Sequence, residues 1–225
     1  MARELVFVTS NGPILGTYNV TKSMVMTTSN ARIDISVNTF NNDATHPTSV
    51  TATTSNGYVN PGYWGVFFFL NSFYRRIDVK AGLYYTGEPV LDLPSSIDNL
   101  PEKSNGTFAL NFITSNAGIA VGFMEAPIGN ALSLSTTTSN AGVHLDLHPT
   151  YEGKVTAIFG SNGGLKIDAK EPKPTDPTGR GRERIVEINR VLAGIATGTI
   201  AWGTNSQTRG EIAMKSSNGA CTLRF

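Results

Sequence analysis

The chain has 225 residues, of which 40% are hydrophobic, 9% aromatic and only 16% charged, with 23 glycines and one cysteine. That length can bury one substantial core, and a single cysteine excludes an internal disulfide. A formal net charge of +1 leaves no electrostatic footprint for nucleic acid or an anionic membrane, and no apolar run approaches the roughly 18 residues of a transmembrane helix.

The opening Met1-Ala2-Arg3-Glu4 leads at once into an expected strand, Leu5–Val8, without the pattern of a signal peptide. Ser10-Asn11-Gly12 follows, the first copy of a phrase that recurs to the end of the chain. Asn11, Asn30, Asn56, Asn105, Asn116, Asn140, Asn162 and Asn218 each follow serine and precede Gly or Ala. Three residues beyond them lie Ile14, Ile33, Val59, Phe108, Ile119, Val143, Leu165 and Cys221. The fifth and seventh positions are mostly apolar too, as in Ile35 with Val37, Leu145 with Leu147, and Ile167. Alternation of this kind turns one face of a strand into a core.

Upstream, the apolar residues sit four and six before the asparagine, as in Met26 with Met24 and Met214 with Ile212. The inward set therefore changes parity across Ser-Asn, which a straight strand cannot do. The backbone is expected to bend or bulge there, and asparagine suits such a bend because it tolerates the left-handed region. Alanine at 31, 117 and 141 argues against tight type I′ hairpins. Asparagines at equivalent corners are expected to stack as a ladder of side-chain amides.

Most copies recur at spacings typical of stacked repeats, and two longer gaps mark insertions. The first, about 61–103, holds much of an aromatic-rich stretch: ten of the 20 aromatics lie between Tyr58 and Tyr85, and Val66-Phe67-Phe68-Phe69-Leu70 is apolar throughout. It reads as a segment folded over the flank of the repeats. Two other readings are an aromatic patch for membrane or ligand and untranslated sequence joined into the coding frame. The second insertion, about 170–204, begins with a proline-rich turn and Arg180, Arg182 and Arg184, expected as a solvated loop. Ile185–Ala193 and Gly198–Trp202 read as strand.

Few residues suggest chemistry. His144, Asp146 and His148 alternate on one outward face, where two imidazoles and a carboxylate offer a weak metal-site alternative. The same pattern marks an ordinary polar face. Cys221 fills an inward slot and reads as a core residue. Asn19-Val20-Thr21 and Asn105-Gly106-Thr107 fit the glycosylation acceptor pattern. No nucleophilic triad, phosphate loop or dinucleotide fingerprint is present, and no cofactor is expected.

The phrases Thr9-Ser10-Asn11-Gly12-Pro13-Ile14, Gly16-Thr17-Tyr18-Asn19-Val20, Leu147-His148-Pro149-Thr150-Tyr151-Glu152-Gly153, Gly179-Arg180-Gly181-Arg182 and Ile212–Phe225 resemble uncharacterised fungal proteins built from Thr-Ser-Asn repeats. These are similar in turn to bacterial and fungal adhesin-type repeats of unknown function. The resemblance implies a β-solenoid-like fold and an extracellular or cell-surface location, and it supplies no catalytic residues.

The expected fold is a single all-β domain over 1–225. It is a right-handed β-solenoid, or a closely related two-sheet β roll, of six or seven coils built from Ser-Asn corners. The expected function is a non-catalytic structural or adhesive scaffold that meets a cell-wall glycan or surface protein. The alternative is a carbohydrate-binding or carbohydrate-active protein using an outward strand face and the aromatic insertion. Both chain ends are expected to leave uncapped coils open to self-association.

Overall fold

The computed structural model describes residues 2–41, 43, 45–55, 76–85, 106–169, 174–192, 194–204 and 209–225. Asn56, Asn105 and the Val66–Leu70 run lie outside the described residues. Among those described, every element is a strand: β1 (Ala2–Thr9), β2 (Ile14–Thr28), β3 (Ile33–Asn41), β4 (Thr48–Thr54), β5 (Arg76–Tyr85), β6 (Thr107–Thr114), β7 (Gly118–Glu125), β8 (Ala131–Thr138), β9 (Val143–Asp146), β10 (Gly153–Phe159), β11 (Leu165–Asp168), β12 (Arg184–Leu192), β13 (Ile195–Trp202), β14 (Gly210–Ser216) and β15 (Cys221–Arg224). No helix among the described residues is long and apolar enough to cross a membrane.

The strands form one open, mostly parallel sheet that divides into two rows at β2. Ile14–Val20 pairs with β3, whereas Ser23–Thr28 pairs with β4 on one side and β1 on the other. The first row therefore runs β1, late β2, β4, β6, β8, β14, β10, β13, β12. The second runs early β2, β3, β5, β7, β9, β15, β11. All neighbours are parallel except where β13 meets β10 and β12.

Each described Ser-Asn corner carries the chain from a first-row strand to a second-row strand, and the parity change is the reason it can. Before Asn140, Leu132, Leu134, Thr136 and Thr138 are buried; after it, Val143, Leu145 and Leu147 are buried. The same switch separates Met24, Met26 and Thr28 from Ile33, Ile35 and Val37. Both rows turn these residues into one continuous core, whose largest fully buried side chains include Phe108, Phe112, Met24 and Met26. Burying each such side chain contributes about 1.5–3 kcal/mol.

Four expectations need correction. No non-glycine residue among those described has a positive φ, so asparagine is not at the corner for left-handed backbone. The insertion at 61–103 is not wholly outside the repeat: its residues 76–85 are β5, which pairs with β3 and β7 and buries Val79, Ala81 and Leu83. The C-terminal repeat is not an uncapped end, because β14 lies between β8 and β10 and β15 between β9 and β11. Ile167 shares the inward register of Leu223 yet is 42% exposed, since β11 is the last strand of its row.

What the corner selects is hydrogen bonding between neighbouring corners. Asn30 Nδ2 donates to Asn11 Oδ1 at 2.8 Å, Asn140 to Asn116 at 2.6 Å, and Asn218 to Asn140 at 2.7 Å. Two residues earlier sits a buried hydroxyl that works in both directions. Ser216 Oγ accepts from the Gly219 amide at 2.8 Å and donates to the Ala141 carbonyl at 2.7 Å. Thr138 Oγ1 donates to the Ala117 carbonyl at 2.9 Å, and Thr114 Oγ1 accepts from the Ala117 amide at 3.2 Å. Thr or Ser at this position ties its own bend and fastens it to the preceding coil.

The Asn162 corner departs from this pattern. Gly160 stands where the other described corners carry Thr or Ser, and a Cβ there would clash with the Ser217 carbonyl oxygen. Gly219 faces the same constraint, 2.1 Å from the Ala141 carbonyl oxygen. Backbones stack too closely for side chains at these two points.

Candidate functional site

Two places hold the polar groups that the core cannot accommodate. The first is the turn at 147–152, against which the second insertion packs. Asp176-Pro177-Thr178-Gly179 forms a turn: the Gly179 amide donates to the Asp176 carbonyl at 3.0 Å, and Asp176 Oδ1 accepts from the Thr178 amide and hydroxyl. Gly179 and Gly181, at φ +71° and +69°, make conformations that L side chains rarely adopt. This loop delivers Arg182 to Asp176, with Nη2 to Oδ1 at 3.0 Å and Nε to Oδ2 at 3.2 Å. The Arg182 guanidinium also lies 3.5 Å from Glu152 Oε1 and donates to the Trp202 carbonyl.

Arg184 reaches the same turn from β12. It donates to the carbonyls of Pro149 and Tyr151 and stands 5.1 Å from the centroid of the Trp202 ring. Trp202 Nε1 donates to Pro149 O at 2.8 Å, while its backbone amide donates to Glu152 Oε1 at 2.9 Å. Tyr151 closes the turn by donating to the Lys154 carbonyl at 2.7 Å.

Burial sets the electrostatics of this cluster. It raises the Glu152 carboxyl above its usual range, with the Trp202 amide and Arg182 pulling the other way. It lowers Arg184 to about 10, opposed by Glu152, and raises Tyr151. Arg182 holds Asp176 well below the usual carboxylate range. Arg182 and Arg184 are thus half-buried locking groups, which corrects the expectation of a solvated loop. The Glu152 carboxylate and both guanidiniums are committed to holding β12–β13 against the turn. Arg184 Nε alone is buried without a hydrogen-bond partner. Sequence reasoning missed Glu152 and Trp202 because their partners lie far away in the chain.

The second place is the outer surface of the sheet, where the two rows differ. Register aligns Val25, Thr51, Asn111, Ser135, Ala213 and Thr156 as one outward column across six first-row strands. Beside it run Thr27, Thr53, Ile113 and Thr137, before Lys215 brings the first charge. The second row instead aligns Ala120, His144, Thr222 and Lys166, next to Gly122, Asp146, Arg224 and Asp168. Across the paired stretches of these six strands the first row shows mainly small hydroxyl and methyl groups, with charge only where Glu211, Lys215 and Lys154 stand on β14 and β10. The second row shows mixed charge.

His144, Asp146 and His148 do not come together as a metal centre. Register sets Arg224 beside Asp146, and His148 Nδ1 faces Thr150 Oγ1 at 2.9 Å. Among the described residues no group of three or more His, Cys, Asp or Glu side chains could hold a metal ion. Cys221 is fully buried in its inward slot, and burial raises its thiol to about 11. Asn19 Oδ1 accepts from Asn38 Nδ2 at 2.9 Å, a second amide pair on the outer surface.

No family model, curated protein or solved structure matches the chain.

Proposed function

We propose that the protein is a non-catalytic structural or adhesive scaffold whose mostly uncharged first-row face, over β2, β4, β6 and β8, lies against a neutral polysaccharide such as a cell-wall glycan. The observation that carries this reading is the contrast between the rows: Val25, Thr51, Asn111, Ser135, Ala213 and Thr156 form a regular column without charge. Neighbouring strands repeat at about 4.7–4.9 Å, so such columns make a flat lattice of hydroxyls and methyls. A neutral sugar chain offers the matching mixture of hydroxyl edges and C–H faces. In support, the strongly shifted groups of the turn cluster are bound up in structural contacts.

The strand–corner–strand units are the coils of a right-handed β-solenoid or two-sheet roll, of the kind that fungal Thr-Ser-Asn and adhesin-type repeats imply. On this reading the protein works at a cell surface. Co-sedimentation with insoluble β-glucan and chitin tests the proposal. Retention of the wild-type chain, its loss in Thr51→Lys and Ser135→Lys, and no release of reducing ends are expected. Released reducing ends would make the protein a carbohydrate-active enzyme, and absence of retention would remove the adhesive reading.

A further inference from the structure

We infer that two copies of the chain join end to end through β1, paired antiparallel about a two-fold axis. Among the described residues β1 closes the first row and pairs only with β2, so the backbone groups along its other side form an open edge there. The devices that normally blunt such an edge are confined to the strand start, where the register shifts between Ala2 and Glu4. Leu5–Thr9 contains no charge and no proline; Arg3 and Glu4 are the charged residues of β1, and Lys22 pairs with Glu4.

The outer face of β1 is apolar and exposed, and the end of the core beneath it is only partly covered. Val6 and Val8 are 70% and 75% exposed, the highest values among the large hydrophobic residues described. Leu5, Phe7 and Tyr18 are only partly buried against the core, with the Phe7 and Tyr18 rings 5.0 Å apart.

The far end differs. β12 is flanked and interrupted by exposed Glu183 and Glu187, and β11 carries the Lys166–Asp168 ion pair. A head-to-tail stack would set β1 against that charged edge, whereas a two-fold axis sets the uncharged Leu5–Thr9 stretch beside its own copy. Antiparallel pairing of two β1 strands keeps inward residues inward, so Leu5 and Phe7 of both copies extend one core. Eight residues span about 26 Å and the two layers with their side chains roughly 20 Å, giving about 500 Å² per partner, or about 1,000 Å² in total. That lies at the lower limit for a specific interface and describes a reversible dimer that closes on itself.

Sedimentation velocity over a concentration series tests this with the full chain. A monomer–dimer equilibrium is expected. Val6→Lys, which adds an exposed charge without entering the core, is expected to raise the dissociation constant by about tenfold or more. Val191→Lys on β12 is expected to leave it unchanged. A strict monomer at high concentration, a dimer indifferent to Val6→Lys, or growing polymers broken by Val191→Lys would each overturn the inference. Since none of these readouts involves a glycan, the adhesive reading stands or falls separately.

Discussion

Asn218 Nδ2 donates to Asn140 Oδ1 across 2.7 Å although the two residues are 78 apart in the chain. Asn140 passes the bond on to Asn116 at 2.6 Å. Every amide in the described ladder donates toward the same end of the row, so their dipoles align and reinforce one another. The corner is thus a contact between neighbouring strand–corner–strand units as well as a bend within one.

Asn140→Ala removes a donor and an acceptor at once, while Asn11→Ala removes only the acceptor for Asn30. With each neutral bond contributing about 0.5–1.5 kcal/mol, Asn140→Ala is expected to cost about 1–2 kcal/mol and Asn11→Ala roughly half of that. Urea midpoints at constant m-value measure both. Equal losses would mean that the amides act singly.

Thr138→Val keeps the side-chain shape and removes the buried donor to the Ala117 carbonyl. Leaving that acceptor unsatisfied is expected to cost about 1–3 kcal/mol, and Thr138→Ser is expected to retain most of the stability. The midpoints of thermal unfolding of the two variants separate hydroxyl from methyl.

Gly219→Ala would drive a Cβ to 2.1 Å from the Ala141 carbonyl oxygen, whereas a Cβ at Gly164 meets nothing within 4 Å. Gly219→Ala is expected to lower the unfolding temperature sharply and Gly164→Ala to change it little. A tolerated Gly219→Ala would show that the final coil does not pack against its neighbour as described.

Glu152 gives stability an unusual pH dependence. Its carboxyl is raised above the model-compound value of 4.5, so the folded state binds its proton more tightly than the unfolded state. Its contribution is most favourable below the unfolded value and declines as pH rises through the folded value. Asp176 has the opposite sign: its carboxyl is lowered by Arg182, and that stability is lost as pH falls below about 3.8. Glu152→Gln is expected to flatten the stability profile just above pH 4.5 while leaving the acid limb in place. Chemical denaturation at a series of pH values reads both limbs.

Much of this fold was legible in the sequence because the corner phrase carries its own geometry. The parity switch from Met24 and Met26 to Ile33 and Ile35 announced a bend, and repeated asparagines announced a ladder. Alternation names the face that a residue takes but not the neighbouring strand. Leu134, Val155 and Ile212 carry the same inward signal, so nothing local told that β14 inserts between β8 and β10. The glycine at 160, in a slot held by Thr or Ser at the other described corners, was a trace of that close approach. β5 was hidden because the segment before it separates its strand pattern from the Asn56 corner. The Glu152–Arg182–Trp202 cluster depends on contacts between distant segments, which neither composition nor spacing reveals.

The central claim is that copied corners stack strands in register, with the last copy inserted between earlier ones. Cross-strand nuclear Overhauser contacts from β14 test it most directly. The account predicts that Ile212 contacts Leu134 on one side and Val155 on the other. Direct contact between Leu134 and Val155, with Ile212 remote from both, would contradict it.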